Sequence, residues 1–232
     1  MEDKRMTKPS ILGFGRRRFV FVVAAMPVLI LSGVLTRQPW YETLLALYSV
    51  VTLMYLAEGK RAGAACGILF CLGNGALFLS RGVWGLAVFN GLIAAPVYLF
   101  SLIAWGRNQN KQNHTVQVKQ LTGKQWPLVA GAGAVIFTGL LFLLEHAGSN
   151  NPVFDALTLA LFMPALVLLL LRYVENWILH LAGNFSAMAI WIISTIDDPM
   201  NFNFVVISAV AAAVNVIGLA TWLKLKQGAK ET

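Results

Sequence analysis

Charged residues are scarce in this chain of 232 residues, and acidic ones are the scarcest among them. Only 12% of the residues are charged, compared with about 25% in a typical soluble domain. The two cysteines, Cys66 and Cys71, are too few for a disulfide framework. The sequence also has no glycine-rich phosphate loop, no paired carboxylates and no histidine pair at metal-binding spacing. We therefore expect neither an enzyme nor a protein with a metal or another cofactor.

Apolar residues make up 58% of the chain and form long runs. A run of about 17 to 25 mostly apolar residues can cross a bilayer as a helix. The sequence predicts eight such spans: Phe19–Thr36, Tyr41–Ala57, Ala62–Ser80, Val83–Trp105, Pro127–His146, Val153–Leu171, Trp177–Ser194 and Phe202–Leu223. The first also resembles the apolar core of a signal peptide, but no small-residue cleavage site follows it. The predicted fold class is an all-α integral membrane protein with eight transmembrane helices.

Lys and Arg residues are distributed unequally between the two sets of predicted loops. With eight crossings, only Arg37 and Arg81 of the 18 basic residues fall on the side opposite the termini. Cytoplasmic loops are enriched in Lys and Arg, so both termini are predicted to be cytoplasmic. The expected location is a membrane, crossed several times by the chain. The net charge of +8 is explained by this orientation, and no nucleic-acid partner is expected.

Two parts of the chain are weakly similar at an offset of 117 residues. Residues Asn90–Trp105 align with Ile207–Trp222, and both segments end in tryptophan. The spans on either side of one linker span are equal in number, so the two repeats run in the same direction, as in SWEET-type facilitators. The predicted organisation is a basic N-terminus with an extra helix (1–40), a first three-helix repeat (41–105), a basic loop (106–126), a linker helix (127–147), a second three-helix repeat (148–223) and a tail (224–232).

The seventh span carries polar and aromatic residues in mid-membrane. At 100° per residue, one face of a helix holds Trp177, His180, Asn184, Met188 and Trp191. Polar groups facing lipid without partners are costly, so this face is predicted to point into the bundle. Aromatic faces and amides suit a flat ring, neutral or cationic, with hydrogen-bonding substituents. These residues are therefore candidates for contact with a small aromatic substrate.

Candidates for the opposite wall of this site lie on the fourth and eighth spans. They are Asn90 and Tyr98 on the fourth span and Asn215 on the eighth. Hydrogen bonding between helices is the alternative role for such polar residues. The tryptophans near predicted span ends are expected to anchor the helices at the membrane interface: Trp40, Trp105, Trp126 and Trp222.

Carboxylates are predicted only near helix ends or in loops. Glu42 and Asp155 lie close to the outer face, and Glu58 and Glu175 lie at inner helix ends. Coupling to protons or sodium usually requires an ionisable group at depth, and only His180 could supply one. This pattern favours transport without ion coupling.

The segment RYVENWILHLAGN (Arg172 to Asn184), the later NVIGLATW and the plan of three, one and three helices resemble the PnuC-type vitamin transporters, best known for nicotinamide riboside uptake. The resemblance covers roughly Tyr41 to Trp222. Residues matching the family motifs are Arg172, Glu175, Trp177, Asn184, Gly218 and Trp222. His180 departs from the family, which has a second tryptophan at this position.

The resemblance implies facilitated diffusion of a vitamin or nucleoside into the cytoplasm, where a kinase would retain it by phosphorylation. Nicotinamide riboside and thiamine are the expected cargoes, riboflavin is carried by other relatives, and the histidine leaves the choice open. The resemblance also implies a homotrimer and a location in the bacterial inner membrane. A different class of function is a non-transporting membrane sensor or assembly subunit, in which the polar face of the seventh span would contact a partner helix.

Overall fold

Helices contain most of the residues that the structure, a computed structural model, describes, namely 15–80, 84–109, 114–149 and 151–228. They are α1 (Arg16–Leu35), α2 (Trp40–Ala57), α3 (Arg61–Ser80), α4 (Trp84–Val88), α5 (Ala95–Arg107), α6 (Trp126–His146), α7 (Pro152–Leu170), α8 (Asn176–Asp197) and α9 (Phe202–Gly228). A π-helical segment, Phe89–Ala94, joins α4 to α5, and a short 3-10 helix, Pro199–Asn201, precedes α9.

Eight helical segments within these ranges are long and apolar enough to cross a membrane. Each overlaps one of the eight predicted spans, so the predicted fold class is confirmed. The segment Leu86–Arg107 combines the end of α4, the π-helical segment and α5 into one crossing. Several residues used to predict orientation lie outside the described residues: Lys4, Arg5, Lys8, Arg81, Lys111 and Lys230.

Prolines and residues with a left-handed backbone conformation lie at several helix boundaries. Pro39 precedes α2, and Pro152 is the first residue of α7, where a missing N–H costs nothing. After α2 and α7, the chain leaves the helix through Gly59 and Arg172, each with a φ of 67°. Glycine is the residue that adopts this conformation without steric strain. Arg172 therefore holds a backbone conformation that L side chains rarely adopt.

The helices pack as two groups of neighbours that meet at two contacts. In one group α2 packs against α3 and α3 against α5, and in the other α7 packs against α8 and α8 against α9. The groups meet where α2 contacts α9 and where α5 contacts α7. Helix α1 lies against α2 and α9. Helix α6 packs against α7, and none of its residues, all of which are described, is buried.

Basic side chains collect at one end of the bundle, which we call the basic end, where α1 begins and α9 finishes. Here Arg18 Nη1 donates to Glu58 Oε1 at 2.5 Å, and its Nη2 donates to Thr221 Oγ1 at 3.0 Å. These bonds fasten the start of α1 to the ends of α2 and α9.

The loop between α5 and α6 lies across the basic end. Val116 N donates to Gly59 O at 2.9 Å, and Lys119 N donates to Arg172 O at 2.8 Å. Leu121 N donates to Glu175 Oε1 at 3.1 Å. The loop therefore binds to the ends of helices in both groups.

Candidate functional site

A cavity of about 790 Å³ lies between the two groups of helices, at the end of the bundle opposite the basic end. Its wall reaches from the N-terminal ends of α2, α7 and α9 and the C-terminal ends of α3 and α8 to the middle of the bundle, and it includes residues of α4 and of the segment joining α4 to α5. Ala147 and Ser149, in the turn after α6, also line it. Volumes of about 300–1,000 Å³ are typical of small-molecule sites. The cavity can therefore hold one small ligand.

Polar side chains are interspersed among the apolar residues that line this cavity. They comprise two carboxylates, three amides and three hydroxyls: Glu42 and Asp155; Asn74, Asn90 and Asn203; Ser49, Ser149 and Thr158. Among the described residues the lining contains no Lys or Arg. The cavity therefore favours a ligand that carries positive charge and hydrogen-bonding groups.

The two carboxylates occupy corresponding places in the structure. Glu42 lies in the first turn of α2 and is 5% exposed, and Asp155 lies in the first turn of α7. The positive end of each helix dipole stabilises a carboxylate at this position. Asp155 Oδ2 also accepts a hydrogen bond from Ser149 Oγ at 2.6 Å. Both carboxylates therefore lie beside the cavity at the N-terminal ends of their helices.

Two of the predicted site residues line the cavity, Asn90 and Trp191. The Trp191 ring stacks on Phe204 with 4.3 Å between centroids and 22° between planes. Asn90 Nδ2 donates to Leu86 O at 2.9 Å, one turn earlier in its helix. The other six predicted residues lie outside the lining: Trp177, His180, Asn184, Met188, Tyr98 and Asn215.

Glycines on neighbouring helices explain where two of these six side chains lie. The Tyr98 ring packs on Gly67, where an added Cβ would come within 2.6 Å of it. The Trp177 ring covers Gly218 equally closely, also at 2.6 Å. Each glycine lets a neighbouring ring approach the helix backbone. Both rings are therefore held in the protein interior and do not form walls of the cavity.

The remaining polar members of the predicted site lie between the cavity and the basic end. Asn184 Nδ2 donates to His180 O at 2.9 Å. Asn215 is 1% exposed, and its Nδ2 has no hydrogen-bond partner among the described residues. An unsatisfied buried amide is costly, so this donor is available to a ligand or a water that enters the interior.

A row of aromatic rings leads from the cavity to the basic end. Phe162 lines the cavity, and its centroid is 5.6 Å from that of His180, which in turn lies 6.4 Å from Trp177. Trp222 follows at 5.7 Å from Trp177, and Trp105 at 5.8 Å from Trp222. The row thus extends through the bundle to the last turns of α5 and α9.

The prediction that Trp105 and Trp222 anchor the protein at the membrane interface is wrong. Both side chains are 0% exposed, because they pack against each other between the two groups of helices. Trp40 and Trp126 are exposed, as interfacial anchors would be. Position near the end of a span does not by itself distinguish an outward-facing tryptophan from a buried one.

The cavity carboxylates are not among the residues predicted for the site. Glu42 and Asp155 were predicted only to lie close to the outer face, and no cavity was predicted there. A repeat offset of 113 residues would have paired Glu42 with Asp155. The same offset pairs Phe78 with Trp191, and both line the cavity. That correspondence was the available signal.

Comparisons with known proteins agree with this architecture. The model of the nicotinamide mononucleotide transporter family matches residues 39–224. The nicotinamide riboside transporter PnuC of Neisseria mucosa is 23% identical over 191 residues, covering 80% of this chain and 73% of the relative. The protein of the same name from Haemophilus influenzae is 22% identical over 194 residues, covering 81% of this chain and 84% of the relative.

A solved structure shares the fold. The crystal structure of the vitamin B3 transporter PnuC superposes with a TM-score of 0.80 and 22% sequence identity, covering 93% of this chain and 94% of that chain. The family match extends over most of the sequence and contains every described residue that lines the cavity. This protein therefore belongs to the nicotinamide mononucleotide transporter family, and it is a membrane transporter and not an enzyme.

Proposed function

We propose that this protein transports nicotinamide riboside by facilitated diffusion, from the cavity towards the basic end. The observation that carries the proposal is the charge of the cavity, which has two carboxylates and, among the described residues, no Lys or Arg. Nicotinamide riboside contains a pyridinium ring with a fixed positive charge. Carboxylates attract that charge, and the stacked pair of Trp191 and Phe204 offers an aromatic face to the ring.

The same charge distribution favours the nucleoside over the mononucleotide. The mononucleotide carries an additional phosphate, which would lie in a cavity with Glu42 and Asp155. Phosphate groups in proteins are usually bound by Arg, Lys or helix N-termini. Here the N-terminal turns of α2 and α7 already contain carboxylates. We therefore expect the riboside to bind and the mononucleotide to be excluded.

Internal symmetry supports an alternating-access mechanism, in which the transport path opens to one side of the membrane at a time. Glu42 and Asp155 are separated by 113 residues, as are Gly59 and Arg172, which share a φ of 67°. Arg172 thus has the same backbone φ as the glycine at the corresponding place in the first repeat. We infer two parallel three-helix repeats, residues 41–105 and 148–223, related by an axis along the membrane normal and linked by α6.

The orientation follows from the distribution of charge. The basic end carries most of the described Lys and Arg residues, so we infer that it faces the cytoplasm. The cavity then faces the opposite side, from which a vitamin would enter. Retention of the cargo by a cytoplasmic kinase and assembly as a homotrimer complete the proposal, and both rest on the family resemblance. Family membership argues against the alternative of a non-transporting sensor or assembly subunit.

Calorimetry with purified protein tests the cargo. We expect nicotinamide riboside to bind saturably, the mononucleotide to bind at least about tenfold more weakly, and neutral riboflavin not to bind. Thiamine is the informative comparison, since it is also a cation. Glu42→Gln and Asp155→Asn should each weaken binding of the riboside about tenfold.

The matched control is Asp197→Asn, which removes an exposed carboxylate that does not line the cavity. This variant should bind the riboside like the original protein. Equal affinity for riboside and mononucleotide, or unchanged affinity in both cavity variants, would refute the proposal. If thiamine bound more tightly than the riboside, thiamine would be the cargo, and the preference for cations would still hold.

A further inference from the structure

We propose that Trp105 and Trp222 form the gate that closes the transport path at the basic end, and that two reciprocal hydrogen bonds hold this gate shut. The inference rests on the protein being a transporter, but it does not depend on which cargo is carried. Both side chains belong to the last turns of their helices, α5 and α9, at the end of the bundle opposite the cavity.

The two indoles fill the space between the groups of helices at this end. Their centroids are 5.8 Å apart, and both side chains are 0% exposed. Trp177 packs edge-on against Trp222, with 5.7 Å between the ring centroids and 81° between the ring planes. A ligand in the cavity would have to displace this aromatic cluster to leave through the basic end.

The hydrogen bonds of the two indoles are reciprocal between the groups of helices. Trp105 Nε1, at the end of α5, donates to Leu169 O at the end of α7, at 3.3 Å. Trp222 Nε1, at the end of α9, donates to Leu56 O at the end of α2, at 3.1 Å. Each group therefore supplies one tryptophan donor and one carbonyl acceptor to the same closed arrangement.

These bonds can break without leaving a buried carbonyl unsatisfied. Leu56 O also accepts from Gly59 N at 2.9 Å, and Leu169 O also accepts from Arg172 N at 3.0 Å. Each carbonyl thus keeps a backbone partner when the indole moves away. The indole N–H groups would then bond to water entering the opened path. At the two indoles, opening therefore loses the net strength of two hydrogen bonds and the packing of the rings.

The aromatic row gives the gate a connection to the cavity. Phe162 lines the cavity, and His180 and Trp177 continue the row to Trp222. Successive aromatic faces attract a cationic ring without binding it irreversibly. A gate at the end of this row would lie directly on the route of the cargo.

A cysteine placed behind the gate reports whether it opens. Ser101 is 0% exposed and lies one helical turn before Trp105, on the side towards the cavity. We would introduce Ser101→Cys into a chain carrying Cys66→Ala and Cys71→Ala. The measurement is the rate at which a membrane-impermeant thiol reagent, applied at the basic end in oriented vesicles, modifies this cysteine.

Phenylalanine keeps an aromatic ring but removes the N–H donor. Since one net hydrogen bond corresponds to about a fivefold change in an equilibrium, Trp105→Phe and Trp222→Phe should each raise the labelling rate about fivefold. The double variant should raise it about twenty-fivefold if the two bonds act independently. Trp40→Phe is the matched control, because Trp40 is 76% exposed and distant from the gate, and its labelling rate should not change.

The result that overturns the gate is an unchanged labelling rate in both single variants that remain folded by gel filtration and thermal unfolding. An equal rise in Trp40→Phe would overturn it as well, since the effect would then not be local. If the double variant does not fold, the single variants decide the question. If nicotinamide riboside did not bind, the proposed cargo would be refuted. The labelling rates would still test the gate, because they do not depend on the cargo.

Discussion

Trp191 is the predicted site residue whose surroundings best fit a role in binding. It lines the cavity and stacks on Phe204, so both side chains are already ordered before a ligand arrives. A cationic ring that approaches this pair gains cation–π attraction without ordering a flexible side chain.

We expect Trp191→Ala to weaken binding of a cationic ring by about 1–2 kcal/mol in calorimetry, while Trp191→Phe keeps most of the affinity. Trp126→Ala is the matched control, because Trp126 is exposed on α6 and does not line the cavity. Equal losses in the alanine variants of Trp191 and Trp126 would indicate a general effect on folding and contradict a role in the cavity.

Side-chain positions could be predicted only in part from helical periodicity. A wheel at 100° per residue places Asn90 and Tyr98 on one face, but Asn90 belongs to the π-helical segment Phe89–Ala94, whereas Tyr98 belongs to α5. A π-helical turn holds more residues than an α-helical turn, so the wheel loses register across it. Periodicity also says nothing about the neighbouring glycine, Gly67, on which Tyr98 packs.

Helix α9 provides a test of close packing between helices. A Cβ at Gly218 would lie 2.6 Å from the Trp177 ring, in a region with no space to adjust. We expect Gly218→Ala to destabilise the protein by about 1–3 kcal/mol, measured as a lower midpoint of thermal unfolding in detergent.

The matched control for this substitution is Gly139→Ala on α6. No atom lies within 4 Å of the Cβ that it would add, and α6 has no buried residue in its described length. Alanine also favours the helix more than glycine does, so the midpoint should stay the same or rise. A drop of the same size in both variants would contradict the packing argument.

The helices were more predictable than the connection between α5 and α6. The span lengths follow from local hydrophobicity, which a single sequence displays directly. The sequence predicted this connection only as a basic loop (106–126), but it lies against both groups of helices through the backbone atoms of Val116 and Lys119. Backbone hydrogen bonds of this kind leave no pattern in the side chains, and so the sequence alone does not indicate them.

Access to the cavity can be tested on the folded protein as a whole. Ala187 lines the cavity, whereas Ala182, on the same helix, is exposed on the outer surface of the bundle. In a chain lacking Cys66 and Cys71, Ala187→Cys should react with a water-soluble thiol reagent added at the cavity end. Saturating nicotinamide riboside should slow this reaction.

Ala182→Cys should remain unreactive, because lipid would surround this side chain and a water-soluble reagent does not enter lipid. Reaction of both cysteines at similar rates would contradict a water-filled cavity with a defined wall. If the mononucleotide protected Ala187→Cys and the riboside did not, the mononucleotide would be the cargo and the proposal would be wrong.

The carboxylates at the starts of α2 and α7 have an energetic consequence for uptake. Glu42 and Asp155 are fixed to helix ends at the cavity side, so the charge that crosses the membrane belongs to the cargo. A membrane potential that is negative inside contributes about 2.3 kcal/mol per 100 mV to the movement of one positive charge. A carrier of a monovalent cation could thus concentrate free cargo about fifty-fold at about 100 mV, with no second ion and before any chemical trapping.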